Sequence, residues 1–137
     1  MRTINSICLI DDDPITIFSV KKLIEITQIA KTVVSFHNGH EALGFFNNTE
    51  NLIHPDLILL DLNMPIVDGW EFMDAYSKLQ LGNKAVIYVM TSSINPSDAK
   101  KVKAYNKKFP FEVKHLIKPI NKDKLQTLAK NYTESNP

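Results

Sequence analysis

Asp11, Asp12 and Asp13 stand together directly after an apolar run, Ile7-Cys8-Leu9-Ile10, and a further acid, Asp61, closes a second run, Leu57-Ile58-Leu59-Leu60. Carboxylates gathered at one place repel one another unless a cation lies among them, and a donor set made only of oxygen selects a hard ion. Magnesium is the expected cofactor, because it takes one or two carboxylates and keeps waters that a phosphoryl oxygen can replace; manganese could substitute. Beside such an ion the carboxylate of Asp61 can attack phosphorus and form an acyl phosphate. Two more groups suit that chemistry. The Thr91 hydroxyl and the Lys118 ammonium each follow an apolar run of their own, and they can meet the oxygens of a transferred phosphoryl group.

These groups need a scaffold that brings four distant segments to one edge. Five apolar runs rich in β-branched residues occupy 6–10, 32–36, 57–60, 85–90 and 113–117. They are continuous rather than alternating, which predicts strands of a parallel sheet buried on both faces. Helical spacing fills the intervals. Asp13-Pro14 opens the first helix as cap and first helical residue, with Ile17, Val20, Leu23, Ile24 and Thr27 on one stripe. Asn38-Gly39, Asp68-Gly69, Asn95-Pro96 and Asn121 open the other four. Strand–helix alternation over five units predicts right-handed crossovers and a doubly wound α/β fold. In such a fold ligands bind at the carboxyl ends of the strands, where Asp11, Asp61, Thr91 and Lys118 all fall. Residues 47–55 and 106–112 are expected to be the two longer connections.

A chain of 137 residues with 44% hydrophobic and 23% charged residues is expected to form one globular domain over residues 1–137, with no room for a separate output module. No stretch is apolar enough to span a bilayer and no leader pattern is visible, so the expected location is cytoplasmic without membrane insertion. The single cysteine, Cys8, reads as a small buried hydrophobe and rules out an internal disulfide. His37, His40 and His54 lack metal-ligand spacing. The net charge of +1 is unevenly spread: residues 1–97 carry 6 Lys or Arg against 11 acids, and residues 98–130 carry 10 Lys against 3 acids. Such a basic segment can attract acidic partners, and as a solvated helical face it gives no ground for direct nucleic-acid binding.

Four blocks together resemble the signature segments of response-regulator receiver domains, the CheY-like phospho-acceptors of two-component signalling. They are Ile10-Asp11-Asp12-Asp13-Pro14, Asp61-Leu62-Asn63-Met64-Pro65-Ile66-Val67-Asp68-Gly69, Met90-Thr91-Ser92-Ser93 and Ile117-Lys118-Pro119. The resemblance implies a flavodoxin-like (βα)5 fold with five parallel strands in the order 2-1-3-4-5. It makes Asp61 the phospho-acceptor, and it gives the metal the carboxylates of Asp12 and Asp61, the backbone carbonyl of Asn63 and, through water, Asp11. Thr91 and Lys118 would bind the phosphoryl group, with the Lys118–Pro119 bond cis.

The resemblance also implies a signalling protein rather than a classical enzyme, acting only in its own Mg-dependent phosphorylation and dephosphorylation. The donor would be a sensor histidine kinase or a histidine phosphotransfer protein in a phosphorelay. A downstream protein would be met on the face of helix 4, strand 5 and helix 5. His115 departs from the pattern, since it stands where the family usually carries an aromatic switch residue that moves with Thr91. Phe109-Pro110-Phe111-Glu112 departs likewise, replacing the usual small residues before the fifth strand. Two other readings compete. A magnesium-dependent aspartyl phosphohydrolase would need an acid where Asn63 stands, because an amide cannot transfer a proton. A binding module indifferent to phosphorylation would not need Asp11, Asp12, Asp61, Thr91 and Lys118 together.

Overall fold

The computed structural model describes residues 4–48, 54–64, 67–79, 85–92 and 95–135; Pro65, Ile66 and Ser93 of the quoted blocks lie outside them. Strands and helices alternate as β1 (Ile4–Ile10), α1 (Pro14–Thr27), β2 (Ala30–Phe36), α2 (Gly39–Asn47), β3 (Leu57–Asp61), α3 (Gly69–Ser77), β4 (Val86–Thr91), α4 (Pro96–Lys108), β5 (Val113–Ile117) and α5 (Lys122–Ser135). All neighbouring strands pair in parallel, in the order β2-β1-β3-β4-β5. No described helix is long and apolar enough to cross a membrane.

The continuous apolar runs reflect a sheet with two covered faces. On β1, β3 and β4, Ile7, Leu9, Leu57, Leu59, Tyr88 and Met90 face a core shared with α1 and α5. The alternating residues Cys8, Ile10, Ile58, Leu60, Ile87 and Val89 face the opposite core, shared with α2, α3 and α4. Cys8 is fully buried, and burial pushes its thiol above the ordinary range. The second core also carries a chain of aromatic contacts that runs from Phe36 through Phe46, Phe72, Tyr76, Phe111, Phe109 and Tyr105 to Trp70. Burial raises the Tyr76 phenol to about 12, and its oxygen accepts the Ala85 N–H at 3.0 Å just ahead of β4.

Helix starts fall where the caps predict. The Asp13 carboxylate accepts the Ile15 N–H at 3.0 Å, Asn38 accepts Glu41 N–H at 2.8 Å, and Asn95 accepts Asp98 N–H at 2.8 Å. Asp68 and Glu71 form a reciprocal capping box. One helix end differs from expectation. Residues 106–108 belong to α4 rather than to a long connection, because Lys107 and Lys108 favour a helix C-terminus and the Asn106 side chain accepts the Val113 N–H at 2.8 Å. Only residues 109–112 link α4 to β5, and Phe111 among them is buried. On α1 the buried stripe is Ile17, Val20 and Ile24, while Leu23 and Thr27 lie at its margin.

Gly69 begins α3 directly against the end of β3. Its N–H donates to Leu62 O at 3.0 Å, and a Cβ there would lie 2.9 Å from Asp61 O, Leu62 Cα and Leu62 Cδ2. Two of those atoms are backbone, so the contact cannot relax by a rotamer change. Gly69→Ala should therefore destabilise the protein by about 1–3 kcal/mol in urea unfolding. An unchanged midpoint would show that the β3–α3 approach is looser than described.

Candidate functional site

The carboxyl ends of β1, β3, β4 and β5 converge. Asp11, the first residue after β1, is fully buried and donates its N–H to Phe36 O at 3.1 Å. One carboxylate oxygen accepts the Asp13 N–H at 2.9 Å and the other accepts the Lys118 ammonium at 3.1 Å. Asp12 is exposed beside it. Asp61 ends β3 with only 8% of its side chain exposed; its Oδ1 accepts the Asn63 N–H at 3.2 Å and lies 3.8 Å from the Lys118 ammonium. Asp11, Asp12 and Asp61 each offer a carboxylate oxygen, and all three oxygens lie within 4.8 Å of one another.

The electrostatics follow from this crowding. Burial, with the charge of Asp11, raises the Asp61 carboxyl to about 6, against the pull of Lys118 and the Asn63 N–H. One ammonium among three carboxylates leaves the cluster with excess negative charge. A close set of hard oxygen donors with uncompensated charge fits a divalent ion such as magnesium.

Thr91, at the end of β4, is buried, and among the described residues its hydroxyl has no hydrogen-bond partner. Its carbonyl accepts the Lys118 N–H at 2.7 Å, which ties the end of β5 to the end of β4. The Lys118–Pro119 bond is cis. His115 pairs with Val89 in the register of β4 and β5, and its buried Nε2 has no partner among the described residues. Burial lowers the His115 imidazole below its ordinary value, with Asp98 of α4 opposing. By strand alternation, Thr91 and His115 share the sheet face on which Val89 and Val113 meet α4.

Every residue singled out for chemistry thus lies at one edge, except His115, which lies inside the sheet next to it. Asp13 is a helix cap: its carboxylate binds Ile15 N–H and the Thr16 hydroxyl, and these bonds hold its carboxyl below the usual range. His37, His40 and His54 are exposed. The sequence pattern does not single out Ile15 and Phe18, which are 76% and 72% exposed on α1. Beside them a cleft of about 440 Å³, lined by Ile15, Val20, Ser92, Lys118, Pro119 and Ile120 among others, opens next to the acidic cluster. An apolar stripe at 15 and 18, separate from the stripe at 17, 20 and 24, is the signal that marks it.

The acidic cluster thus sits at the carboxyl ends of the strands of a five-stranded parallel α/β sheet. The family model for the response regulator receiver domain matches residues 7–130, and the chain belongs to that family. It is similar to the nitrate/nitrite response regulator protein NarL of Escherichia coli strain K12, at 33% identity over 87 residues. That match covers 64% of this chain and 38% of the length of that relative. A two-component response regulator from Cytophaga hutchinsonii superposes with a TM-score of 0.81 at 28% identity, covering 97% of this chain and 99% of the other. The receiver domain of the sensor histidine kinase PA1611 from Pseudomonas aeruginosa PAO1 shares the fold, with a TM-score of 0.73 at 18% identity over 95% and 98% of the two chains. That structure holds a magnesium ion in its active site cleft. Receiver domains are signalling domains of two-component systems rather than classical enzymes; histidine kinases or phosphotransfer proteins phosphorylate them, and they bind magnesium at an acidic site.

The raised carboxyl of Asp61 has a consequence for stability. The folded state holds this proton up to about pH 6, the unfolded state only to about pH 4, so folding is favoured below that window and the advantage is lost as pH rises through it. Asp61→Asn should raise the stability of the metal-free protein at pH 7.5 by about 1–2 kcal/mol and leave it unchanged at pH 3.5. Thermal unfolding in chelator across that range checks this, and equal shifts at both pH values would contradict it.

Proposed function

We propose that residues 1–137 act as a single receiver domain whose phospho-acceptor is Asp61, taking its phosphoryl group from a phosphohistidine of a kinase or phosphotransfer protein. The observation that carries this reading is the carboxylate of Asp61 fixed at the end of a buried strand, inside a three-acid cluster and 3.8 Å from the Lys118 ammonium. With its carboxyl at about 6, Asp61 is mostly ionised at neutral pH and able to attack. One of its oxygens bonds to phosphorus as the bond from phosphorus to the donor imidazole breaks, and the imidazole leaves with that electron pair.

The residues divide the work. Asp12 and Asp61 would hold magnesium, or manganese, through their carboxylates, with the Asn63 carbonyl and, through water, Asp11. Bound there, the ion supplies charge neutralisation for the carboxylates and for the phosphoryl oxygens. Lys118 pairs with a second phosphoryl oxygen, and its resting place on Asp11 keeps it within reach. The Thr91 hydroxyl, buried without a partner, is free to donate to a third.

That donation links the site to α4. A Thr91 drawn toward Asp61 vacates space on the sheet face that His115 shares, and the His115 Nε2 has no bond to break. α4 buries only Val102, so its seat on this face is shallow. The output of the proposal is a changed surface of α4, β5 and α5, met by a downstream protein. The donor is expected on the other side, where Ile15 borders the cleft that reaches Lys118 and Phe18 stands exposed on the same helix.

Acetyl phosphate with magnesium should label the protein once, on Asp61, and Asp61→Asn should abolish labelling by at least 100-fold, on the order expected for removal of a nucleophile; persistent labelling of the variant would sink the assignment. Ile15→Ser with Phe18→Ser should slow transfer from a phosphorylated histidine phosphotransfer protein about tenfold, the scale of two lost apolar contacts. Labelling by acetyl phosphate should be unaffected in that variant. Equal loss with both donors would place the defect in the site and not in docking.

A further inference from the structure

Lys122 and Lys124 occupy the first turn of α5, where free N–H groups already carry partial positive charge and cations are disfavoured. Lys124 turns its ammonium away from that end. It donates to the carbonyl oxygens of Ile117 and Pro119, the latter at 3.0 Å, and these two carbonyls flank Lys118 in the chain. The Lys124 backbone is itself fixed, since its N–H donates to the Asn121 side chain at 2.9 Å.

β5 is an edge strand, supported on one side by β4 alone. Its last tie to β4 is the bond from Lys118 N–H to Thr91 O. From α5, among the described residues, one ammonium holds the backbone on both sides of Lys118. The Lys118 side chain must meanwhile keep its own ammonium 3.1 Å from Asp11 and 3.8 Å from Asp61, and a loosened backbone would blur both distances.

We infer that Lys124 is a positioning residue for Lys118: by bridging the carbonyls of Ile117 and Pro119, it holds the end of β5 so that the Lys118 ammonium stays over the acidic cluster. The inference rests on the phospho-acceptor reading of Asp61. Lys124 acts through Lys118 and, among the described residues, bonds to no acid of the cluster.

The test follows labelling of Asp61 by acetyl phosphate and magnesium, in which the Asp61 oxygen bonds to phosphorus and acetate leaves with the electron pair. Lys124→Met keeps the side-chain length and removes the donor; it should slow labelling about three- to tenfold, the scale of losing hydrogen bonds near the surface. Its thermal midpoint should be unchanged or raised, because a cation leaves a helix N-terminus. Lys124→Arg should restore the rate. In a Lys118→Ala background, Lys124→Met should have no further effect, since there is no ammonium left to position. Labelling of Lys124→Met at the wild-type rate would overturn the inference. So would the same slowing in the Lys118→Ala background, which would mark a general structural or charge effect. An unlabelled wild-type protein would instead remove the acceptor reading of Asp61, so the two failures are distinguishable.

Discussion

Three carboxylates held within 4.8 Å of one another at the end of a buried sheet are the constraint on which the rest of this protein turns. Such a cluster opposes folding, because each charge raises the cost of the next, and burial of Asp11 and Asp61 sharpens the repulsion. The chain tolerates it because the strands beneath are anchored on both faces by apolar residues. Lys118 offsets part of the repulsion and a divalent ion would offset more. The same unrelieved charge is what makes the site receptive to a cation.

Support for the cluster is uneven. β1 and β3 sit inside the sheet with neighbours on both sides, so Asp11 and Asp61 are fixed by the core itself. β5 is at the edge, and Lys118 depends on ties to Thr91, to Asp11 and through α5. α4 buries the fewest residues of the five helices, Val102 alone. It is held further by Tyr105 packed on Trp70, by the Asn106 side chain, which accepts the Val113 N–H of β5, and by the exposed Lys108–Asp74 pair, which contributes little.

Much of the fold was legible in the sequence because its signals are local. Continuous β-branched runs mark strands covered on both faces, and Asp13-Pro14, Asn38-Gly39, Asp68-Gly69 and Asn95-Pro96 mark helix starts through bonds that reach two or three residues along the chain. Helix ends are less legible. α4 runs to Lys108 because Asn106 reaches Val113, and a bond across seven residues leaves no local trace. Gly69 reads in sequence as a turn residue; its need for a missing side chain comes from the approach of α3 to Asp61 and Leu62.

Sequence by itself determined the fold class, the strand-end placement of Asp11, Asp12, Asp61, Thr91 and Lys118, and the family, since residue type, local spacing and chain order suffice for these. Tertiary structure alone decided that Ile15 and Phe18 of α1 are left exposed, while Ile17, Val20 and Ile24 face the sheet as their spacing predicts. It decided too that Lys118 rests on Asp11, that Asp61 is raised to about 6, and that the Thr91 hydroxyl and His115 Nε2 lack partners. Each of these depends on distances between segments far apart in the chain and on how much water reaches them. Neither quantity is written in any one stretch of residues.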